Sequence, residues 1–150
     1  NSAIYAGGQD QDMYATLDIA IFDLFKGNIE IVKNGSCPTF VKSKKDVQLI
    51  KSLSLPAGIL DDIDLVTFDR DLEDGDIVVM CTDGIIDSNT EYNNKEMWVK
   101  DILSEMETDD VKKIADIIVQ EAVDNNLGRP KDDMTVLVAK IIHRWNLTFI

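Results

Sequence analysis

The sequence predicts an α+β fold in which helices pack against antiparallel β-sheet. Up to Cys81, apolar and polar side chains alternate in short runs separated by Gly, Asn and Pro, as in half-buried strands. The second half changes to a helical period, and a final apolar run, MTVLVAKII, returns to strand character. Strands that are followed by helices and a returning strand are typical of helices packed on a sheet.

The strands of the first half follow from this alternation. YATLDIAIFDLFKGNIEIVKNG predicts two strands joined by a two-residue hairpin at Gly27-Asn28. One face of the first strand is shared by apolar side chains, namely Ala15, Leu17, Ile19 and Ile21. TFVKSKKDVQLI predicts two further short strands around a Lys-Ser-Lys-Lys turn, and LVTFDRDL predicts another strand. Asp74-Gly75 is a turn signal that leads into a strand over residues 76–81.

Two helices are predicted, over residues 95–106 and 109–124. In the second, apolar residues occupy the i, i+3, i+4, i+7 and i+11 positions of one face: Val111, Ile114, Ala115, Ile118 and Ala122. Thr108 is the expected N-cap, and Leu127-Gly128 followed by Pro130 is expected to end the helix.

Composition limits the classes of function. The net charge of -13 would repel a phosphate backbone, so nucleic acid is not expected as a partner. Cys37 and Cys81 lie in unrelated contexts and are expected to be two small buried or half-buried thiols, with no disulfide framework and no metal pair. No apolar run approaches the ~18 residues of a transmembrane helix. We therefore expect a soluble segment that makes no membrane contact of its own.

Carboxylates stand at the ends of two strongly apolar strands. Asp83 follows IVVMCT, and Asp132-Asp133 precede MTVLVAKII. If these strands are antiparallel neighbours, the end of one lies beside the start of the other, which would bring the carboxylates together. Hard cations such as Mg²⁺ and Mn²⁺ prefer such oxygen ligands, and Gly84 would let the backbone turn away from the site. Asp-Gly is also an ordinary turn, so spacing alone leaves both interpretations open.

The same stretches carry a family resemblance. EDGD with IVVMCTDGIID, and GRPKDDMTVLVAKI downstream, resemble the closing motifs of the metal-dependent PPM (PP2C-like) serine/threonine phosphatases. Within that group the similarity is greatest to the phosphatase domains of the stage II sporulation protein E family. DMYATLDIAIFDLFKGNIEIVKNGSCPTF and SLPAGI resemble the middle of such domains, so the resemblance runs from about residue 12 to about residue 142.

The resemblance implies a PP2C-like α-β-β-α sandwich and a metal-dependent protein phosphatase. Two Mn²⁺ or Mg²⁺ ions would be bound in part by Asp83 and Asp132, with Gly84, Asp133 and Thr135 as the matching surroundings. Water activated by the ions would attack phosphoserine or phosphothreonine, without a covalent phospho-enzyme. The implied substrate is a phosphorylated anti-anti-sigma factor in sporulation control. The implied location is the cytoplasmic side of the membrane, in a parent protein anchored through an N-terminal region.

One part of the family pattern is absent. The family's domain opens with a further metal-binding Asp in an Asp-Gly-x-Gly motif on an early strand, whereas Gly7-Gly8 is followed here by Gln9-Asp10. Residues 1–150 are therefore interpreted as the C-terminal part of the domain, with an incomplete sandwich and half of the metal site. We expect this chain to be inactive by itself.

Three other motifs fit the sequence less well. Residues 62–66 fit a D-x-D-x-V phosphatase nucleophile pattern, but no buried strand precedes them. Residues 69–80 begin like an EF-hand loop, but Met80 stands at the position of the bidentate Glu. His143 is the only histidine and lies in the final polar-aromatic stretch, HRWNLTFI, so neither a Ser-His-Asp arrangement nor a His-based zinc site is expected. Trp98 and Trp145 are expected to be packing residues.

A second hypothesis comes from a different class. The chain could be a non-catalytic interaction domain in which the acidic strand ends serve only as turns. An Asp-Gly-x-Gly strand encoded upstream of residue 1 would favour the phosphatase over this alternative.

Overall fold

The computed structural model describes residues 14–59 and 65–142, and within these ranges it contains seven strands and three helices. They belong to two compact units. The first unit is drawn from Asn1–Pro38 and Ile50–Asp71, and the second from Thr39–Leu49 and Leu72–Ile150. The α+β class predicted from the sequence is confirmed.

The first unit contains a three-stranded antiparallel sheet in the order β1-β2-β5. Its strands are β1 (Leu17–Asp23), β2 (Asn28–Asn34) and β5 (Val66–Asp71). Ile29 and Ile31 of β2 are fully buried on one face. Three apolar side chains of β1 do share a face, as predicted, and that face is exposed: Leu17, Ile19 and Ile21.

The turn between β1 and β2 is longer than predicted. Asp23 pairs with Asn28, so four residues, 24–27, form the connection instead of a two-residue turn at Gly27-Asn28. The Asp23 carboxylate accepts hydrogen bonds from the backbone N–H groups of Phe25 and Lys26, each at 3.0 Å. Gly27 closes the turn with a φ of 74°, a left-handed conformation that suits glycine. The two-residue prediction was wrong because the Asp23 side chain organises a wider turn.

The first unit also buries a charge. Lys33 is fully buried, and its Nζ donates to Asp18 at 2.7 Å and to the carbonyl oxygen of Cys37 at 2.7 Å. A buried ammonium is tolerated only when such partners replace its water. Asp18 and Cys37 therefore fix how the chain that follows β2 leaves the sheet.

The second unit contains a four-stranded sheet in the order β4-β3-β6-β7. Its strands are β3 (Thr39–Lys42), β4 (Val47–Ile50), β6 (Ile77–Cys81) and β7 (Val136–Lys140). The central strand β6 is the most apolar and is buried over Ile77, Val78 and Val79. β6 and β7 are antiparallel, with Cys81 opposite Val136. The condition under which the two acidic strand ends would lie together, an antiparallel pairing of these strands, is thus met.

Three helices belong to the second unit: α1 (Asp83–Ile86), α2 (Met97–Glu105) and α3 (Val111–Asn125). The last two match the predicted helices, and α3 packs against β7. Of its predicted apolar face, Ile114, Ile118 and Ala122 are buried, whereas Val111 remains 36% exposed. The N-cap is Asp110, which accepts from the N–H groups of the first turn. Thr108 was the wrong choice, because its hydroxyl accepts from Asp110 N–H instead.

Two side chains anchor the short helices of the second unit. Trp98 is 2% exposed, and its Nε1 donates to the carbonyl oxygen of Ile86 at 3.2 Å, which ties α2 to the end of α1. This confirms Trp98 as a packing residue. Lys42 Nζ donates to the carbonyl oxygens of Leu103 and Met106 at the C-terminal end of α2, where a cation also complements the helix dipole.

The remaining expectations from the sequence concern the two cysteines, membrane-spanning helices, and motifs that fall outside the described residues. Cys37 and Cys81 are both half-buried, within the expected range. In the part of the chain that the structure describes, no helix is both long and apolar enough to cross a membrane. The D-x-D-x-V pattern largely falls within residues 60–64, and His143 and Trp145 within residues 143–150, all outside the described residues.

Candidate metal centre

The candidate site lies where β6 ends and β7 begins. The backbone N–H of Thr82 donates to the carbonyl oxygen of Thr135 at 3.1 Å, one residue pair beyond Cys81 and Val136. Asp83 follows immediately as the first residue of α1, and Asp132 precedes β7 by four positions. The register therefore places both predicted carboxylates at the same edge of one sheet.

Gly84 permits the close approach of the two segments. A Cβ at this position would lie 2.3 Å from the carbonyl oxygen of Asp133, far inside van der Waals contact. Gly84 is buried and belongs to the first turn of α1, and it is not among the glycines with positive φ. The expected reason for this glycine, a sharp turn of the backbone, was wrong. It is needed because no side chain fits between α1 and the Asp132-Asp133 backbone.

The two carboxylates are similarly arranged. Asp83 Oδ1 accepts from the N–H of Gly84 at 3.0 Å, and Asp132 Oδ1 accepts from the N–H of Asp133 at 2.8 Å. Both side chains are exposed, and within the described residues neither forms an ion pair. Each carboxylate is thus oriented through one oxygen by its own backbone and retains a second oxygen for a ligand.

The donors suit a hard divalent cation but do not complete a site. Mg²⁺ and Mn²⁺ bind carboxylate oxygens and retain several waters, so one or two carboxylates are a usual share of their ligands. Over residues 14–59 and 65–142, no group of three His, Cys, Asp or Glu side chains is placed to hold a metal. Asp133 is exposed beside Asp132, and its backbone carbonyl contacts the other segment.

Two further residues near the site, Thr82 and Asp87, were not among the predicted site residues. Thr82 lies between the strand and Asp83, and its hydroxyl bonds to two backbone groups of the opposite segment. A hydroxyl residue directly before an Asp-Gly at a strand end was the available signal. Asp87 is the C-cap of α1 and pairs with Lys95 at 2.9 Å on the exposed surface. Asp87 is therefore already partnered and is a suitable control for Asp83.

Solved structures identify the class to which this fold belongs. The chain matches the PP2C phosphatase domain of the cell fate determinant SpoIIE from Bacillus subtilis with a TM-score of 0.80 and 33% sequence identity. The match covers 89% of this chain and 40% of that chain. The fold is therefore that of PP2C-type phosphatase domains, as the family resemblance implied.

Sequence comparison then identifies the family. Residues 1–142 match the family described as Stage II sporulation protein E (SpoIIE), and this chain belongs to it. Stage II sporulation protein E of Priestia megaterium is 34% identical over 134 residues, which cover 89% of this chain and 23% of that protein. Phosphoserine phosphatase RsbU of Bacillus subtilis is 32% identical over 84 residues, which cover 55% of this chain and 25% of that protein. The chain spans a quarter or less of the length of these relatives.

Proposed function

We propose that this chain is the C-terminal part of a metal-dependent protein serine/threonine phosphatase domain. The observation that carries the proposal is the juxtaposition of Asp83 and Asp132 at one edge of the second unit's sheet, in a chain that belongs to the SpoIIE family. If Asp83 and Asp132 were only turn residues, α1 and the segment before β7 would not need to lie so close together that Gly84 has no room for a side chain. A shared binding role accounts for both the exposure of the carboxylates and this close approach.

Asp83 and Asp132 would bind Mn²⁺ or Mg²⁺ and would act as neither acids nor bases. When bound, such ions supply an activated water nucleophile and neutralise charge on the phosphoryl oxygens. The role of this chain would be to hold the two carboxylates at a fixed separation, through the pairing of β6 with β7. The backbone N–H groups of Gly84 and Asp133 keep one oxygen of each carboxylate in place.

The remaining ligands would come from residues upstream of this chain. Two carboxylates leave a pair of ions under-coordinated, and the resemblance implies a bridging Asp in an Asp-Gly-x-Gly strand that residues 1–150 do not contain. We expect this chain alone to show negligible Mn²⁺-dependent turnover of p-nitrophenyl phosphate. Robust turnover by residues 1–150 would contradict the division of the site between the two parts of the domain.

The proposed substrate is a phosphorylated protein of the anti-anti-sigma factor type. Membership of the SpoIIE family and the similarity to a protein named as a phosphoserine phosphatase support this class. The net charge of -13 disfavours a nucleic acid substrate. We propose that the domain acts on the cytoplasmic side of the membrane in sporulation control, in a parent protein anchored through its N-terminal region.

The test uses the complete domain, with the upstream residues restored. Asp83→Asn and Asp132→Asn retain the oxygen that accepts the backbone hydrogen bond but remove the charge that a hard cation requires. Each should lower turnover of a phosphoserine protein by at least ~10²-fold. Asp87→Asn removes only an exposed ion pair with Lys95 and should change turnover far less.

Stability without metal separates this proposal from the interaction-domain hypothesis. Crowded carboxylates repel one another when no cation is bound, so both site variants should melt at or slightly above the parent's temperature in chelator. If Asp83→Asn keeps near-parental turnover, or unfolds the metal-free domain, then Asp83 is a turn residue and the phosphatase assignment of this site fails.

A further inference from the structure

The hydrogen bonding between β6 and β7 continues for one residue pair beyond the strands, but one of its bonds goes to a side chain. The register places Thr82 opposite Thr135, and Thr82 N–H donates to Thr135 O at 3.1 Å. In a regular antiparallel pair, the N–H of Thr135 would return a bond to the carbonyl oxygen of Thr82. It donates instead to the Thr82 hydroxyl, Oγ1, at 3.0 Å. The side chain thus takes the place of its own carbonyl in the ladder.

The displaced carbonyl has another use. The backbone carbonyl oxygen of Thr82 accepts hydrogen bonds from the N–H groups of Ile85 at 3.1 Å and Ile86 at 3.3 Å, and these bonds begin α1. One residue therefore ends a strand and caps a helix without giving up a hydrogen bond of either element. As a result Asp83 is the first helical residue while its neighbour is still paired with β7.

The same hydroxyl has one proton to donate, and it donates to the carbonyl oxygen of Asp133 at 3.1 Å. Oγ1 of Thr82 thereby contacts the backbone on the β7 side of Asp132 at two points, Asp133 and Thr135. Gly84 abuts the same segment from α1. One side-chain oxygen therefore bonds twice to the segment that carries Asp132, beside the backbone bond from Thr82 N–H to Thr135 O.

We propose that Thr82 is a positioning residue for divalent cation binding, because its hydroxyl sets the separation of Asp83 and Asp132. The inference rests on the proposed metal site. Thr82, Asp133 and Thr135 are exposed, so water can replace the lost partners when the hydroxyl is removed. The fold should then survive, and the geometry of the carboxylates should loosen.

The experiment measures Mn²⁺ affinity of the complete domain by isothermal titration calorimetry. Thr82→Val keeps the branched shape but removes the hydroxyl and should weaken affinity by roughly 10- to 100-fold, as loss of a residue that orients metal ligands does. Thr82→Ser keeps the hydroxyl and should restore affinity to within about threefold of the parent. Thr90→Val, at an exposed threonine of the loop that follows α1, is the matched control and should bind like the parent.

The Asp83→Asn variant distinguishes failure of the metal site from failure of the role of Thr82. If Asp83→Asn binds Mn²⁺ like the parent, the metal site itself is wrong. If Asp83→Asn loses binding but Thr82→Val does not, only the role of Thr82 is wrong. Should Thr82→Val be unfolded at the assay temperature, Thr82→Ala replaces it. Unfolding of both would assign the hydroxyl to fold stability and would overturn the proposal.

Discussion

Replacement of Gly84 by alanine perturbs the site without altering any charge. The added Cβ would lie 2.3 Å from the carbonyl oxygen of Asp133, whereas ordinary van der Waals contact begins at 3.4 Å. The neighbour is backbone, which cannot rotate away, and the carbonyl carbon of Asp132 is also in contact at 3.4 Å. The segment before β7 must therefore move by about 1 Å away from α1.

Two magnitudes follow from that displacement. Overpacking of this kind costs about 1 to 3 kcal/mol, which for a domain of this size lowers the melting temperature by roughly 2 to 12 °C. A misplacement of ~1 Å between groups that act on one substrate reduces turnover by about 10²-fold. Because Asp132 moves relative to Asp83, Gly84→Ala should lower turnover of a phosphoserine protein more than its loss of stability explains. Both quantities are measured on the complete domain, with melting followed in chelator.

Gly128→Ala is the control for this variant. Gly128 has a φ of 74°, and a Cβ added there would meet no atom within 4 Å, so its replacement adds left-handed strain of about 1 to 2 kcal/mol without a clash. Its stability loss should resemble that of Gly84→Ala while its turnover stays near parental. Parental turnover and stability in Gly84→Ala would refute the close approach of the two segments.

Three further outcomes are expected. Mn²⁺ at a hundredfold excess over its dissociation constant should stabilise the complete domain by ~2.7 kcal/mol in thermal melts, and equal melting temperatures with metal and chelator would contradict the site. Lys42→Met leaves the carbonyl of Met106 without its donor and should cost about 1 to 3 kcal/mol in urea denaturation, a loss that an unchanged midpoint would exclude. The pKa of Asp109 lies below its ordinary value of 3.8 because the Lys140 ammonium donates a hydrogen bond to its carboxylate. The ion pair therefore contributes to the stability of the folded state above pH 3.8, and this contribution is lost as the pH falls through the lower pKa of the folded state. Lys140→Gln should return the pKa of Asp109 towards 3.8 in a carboxyl NMR titration, and an unchanged pKa would show that the pair is not formed.

The sequence was most informative where burial leaves few alternatives. The apolar run over residues 76–81 predicted a strand, which the structure places between β3 and β7, and the run that becomes β7 is the other strongly apolar stretch that has a carboxylate beside it. Pairing these two strands antiparallel was sufficient to bring Asp83 and Asp132 to one edge. The family resemblance then favoured a metal site over a turn, a choice that spacing alone had left open.

Local choices between similar polar groups were less predictable. Thr108 and Asp110 are both good N-caps, and either would satisfy the first turn of α3 if the helix began at the right residue. The structure uses both, with Asp110 as the cap and Thr108 bonded to its N–H. Asp23 likewise competes with the Gly27-Asn28 signal and produces the four-residue turn. Which polar group forms the hydrogen bond depends on differences in geometry of about an ångström, and the order of residues in a sequence does not contain that information.

Periodicity also leaves open which face of a strand is covered. Leu17, Ile19 and Ile21 share a face, as alternation required, yet they are 40, 40 and 51% exposed. Within the described part of the first unit, the buried apolar side chains are those of Ile29 and Ile31 on the neighbouring strand. Alternation assigns residues to faces, but tertiary packing decides which face is buried.

The candidate site separates the residues that support the fold from those that would perform chemistry. Val78 and Val79 are fully buried a few residues before Asp83, and Trp98 fixes the other end of α1 through Ile86. The two carboxylates themselves are exposed and contribute no buried contact. Rigid supports on both sides allow charged side chains to be held close together, at the expense of mutual repulsion when no cation is present. Removal of either carboxylate should therefore impair cation binding and leave the core of the second unit intact, whereas changes to Thr82 or Gly84 should alter the separation at which the carboxylates are held.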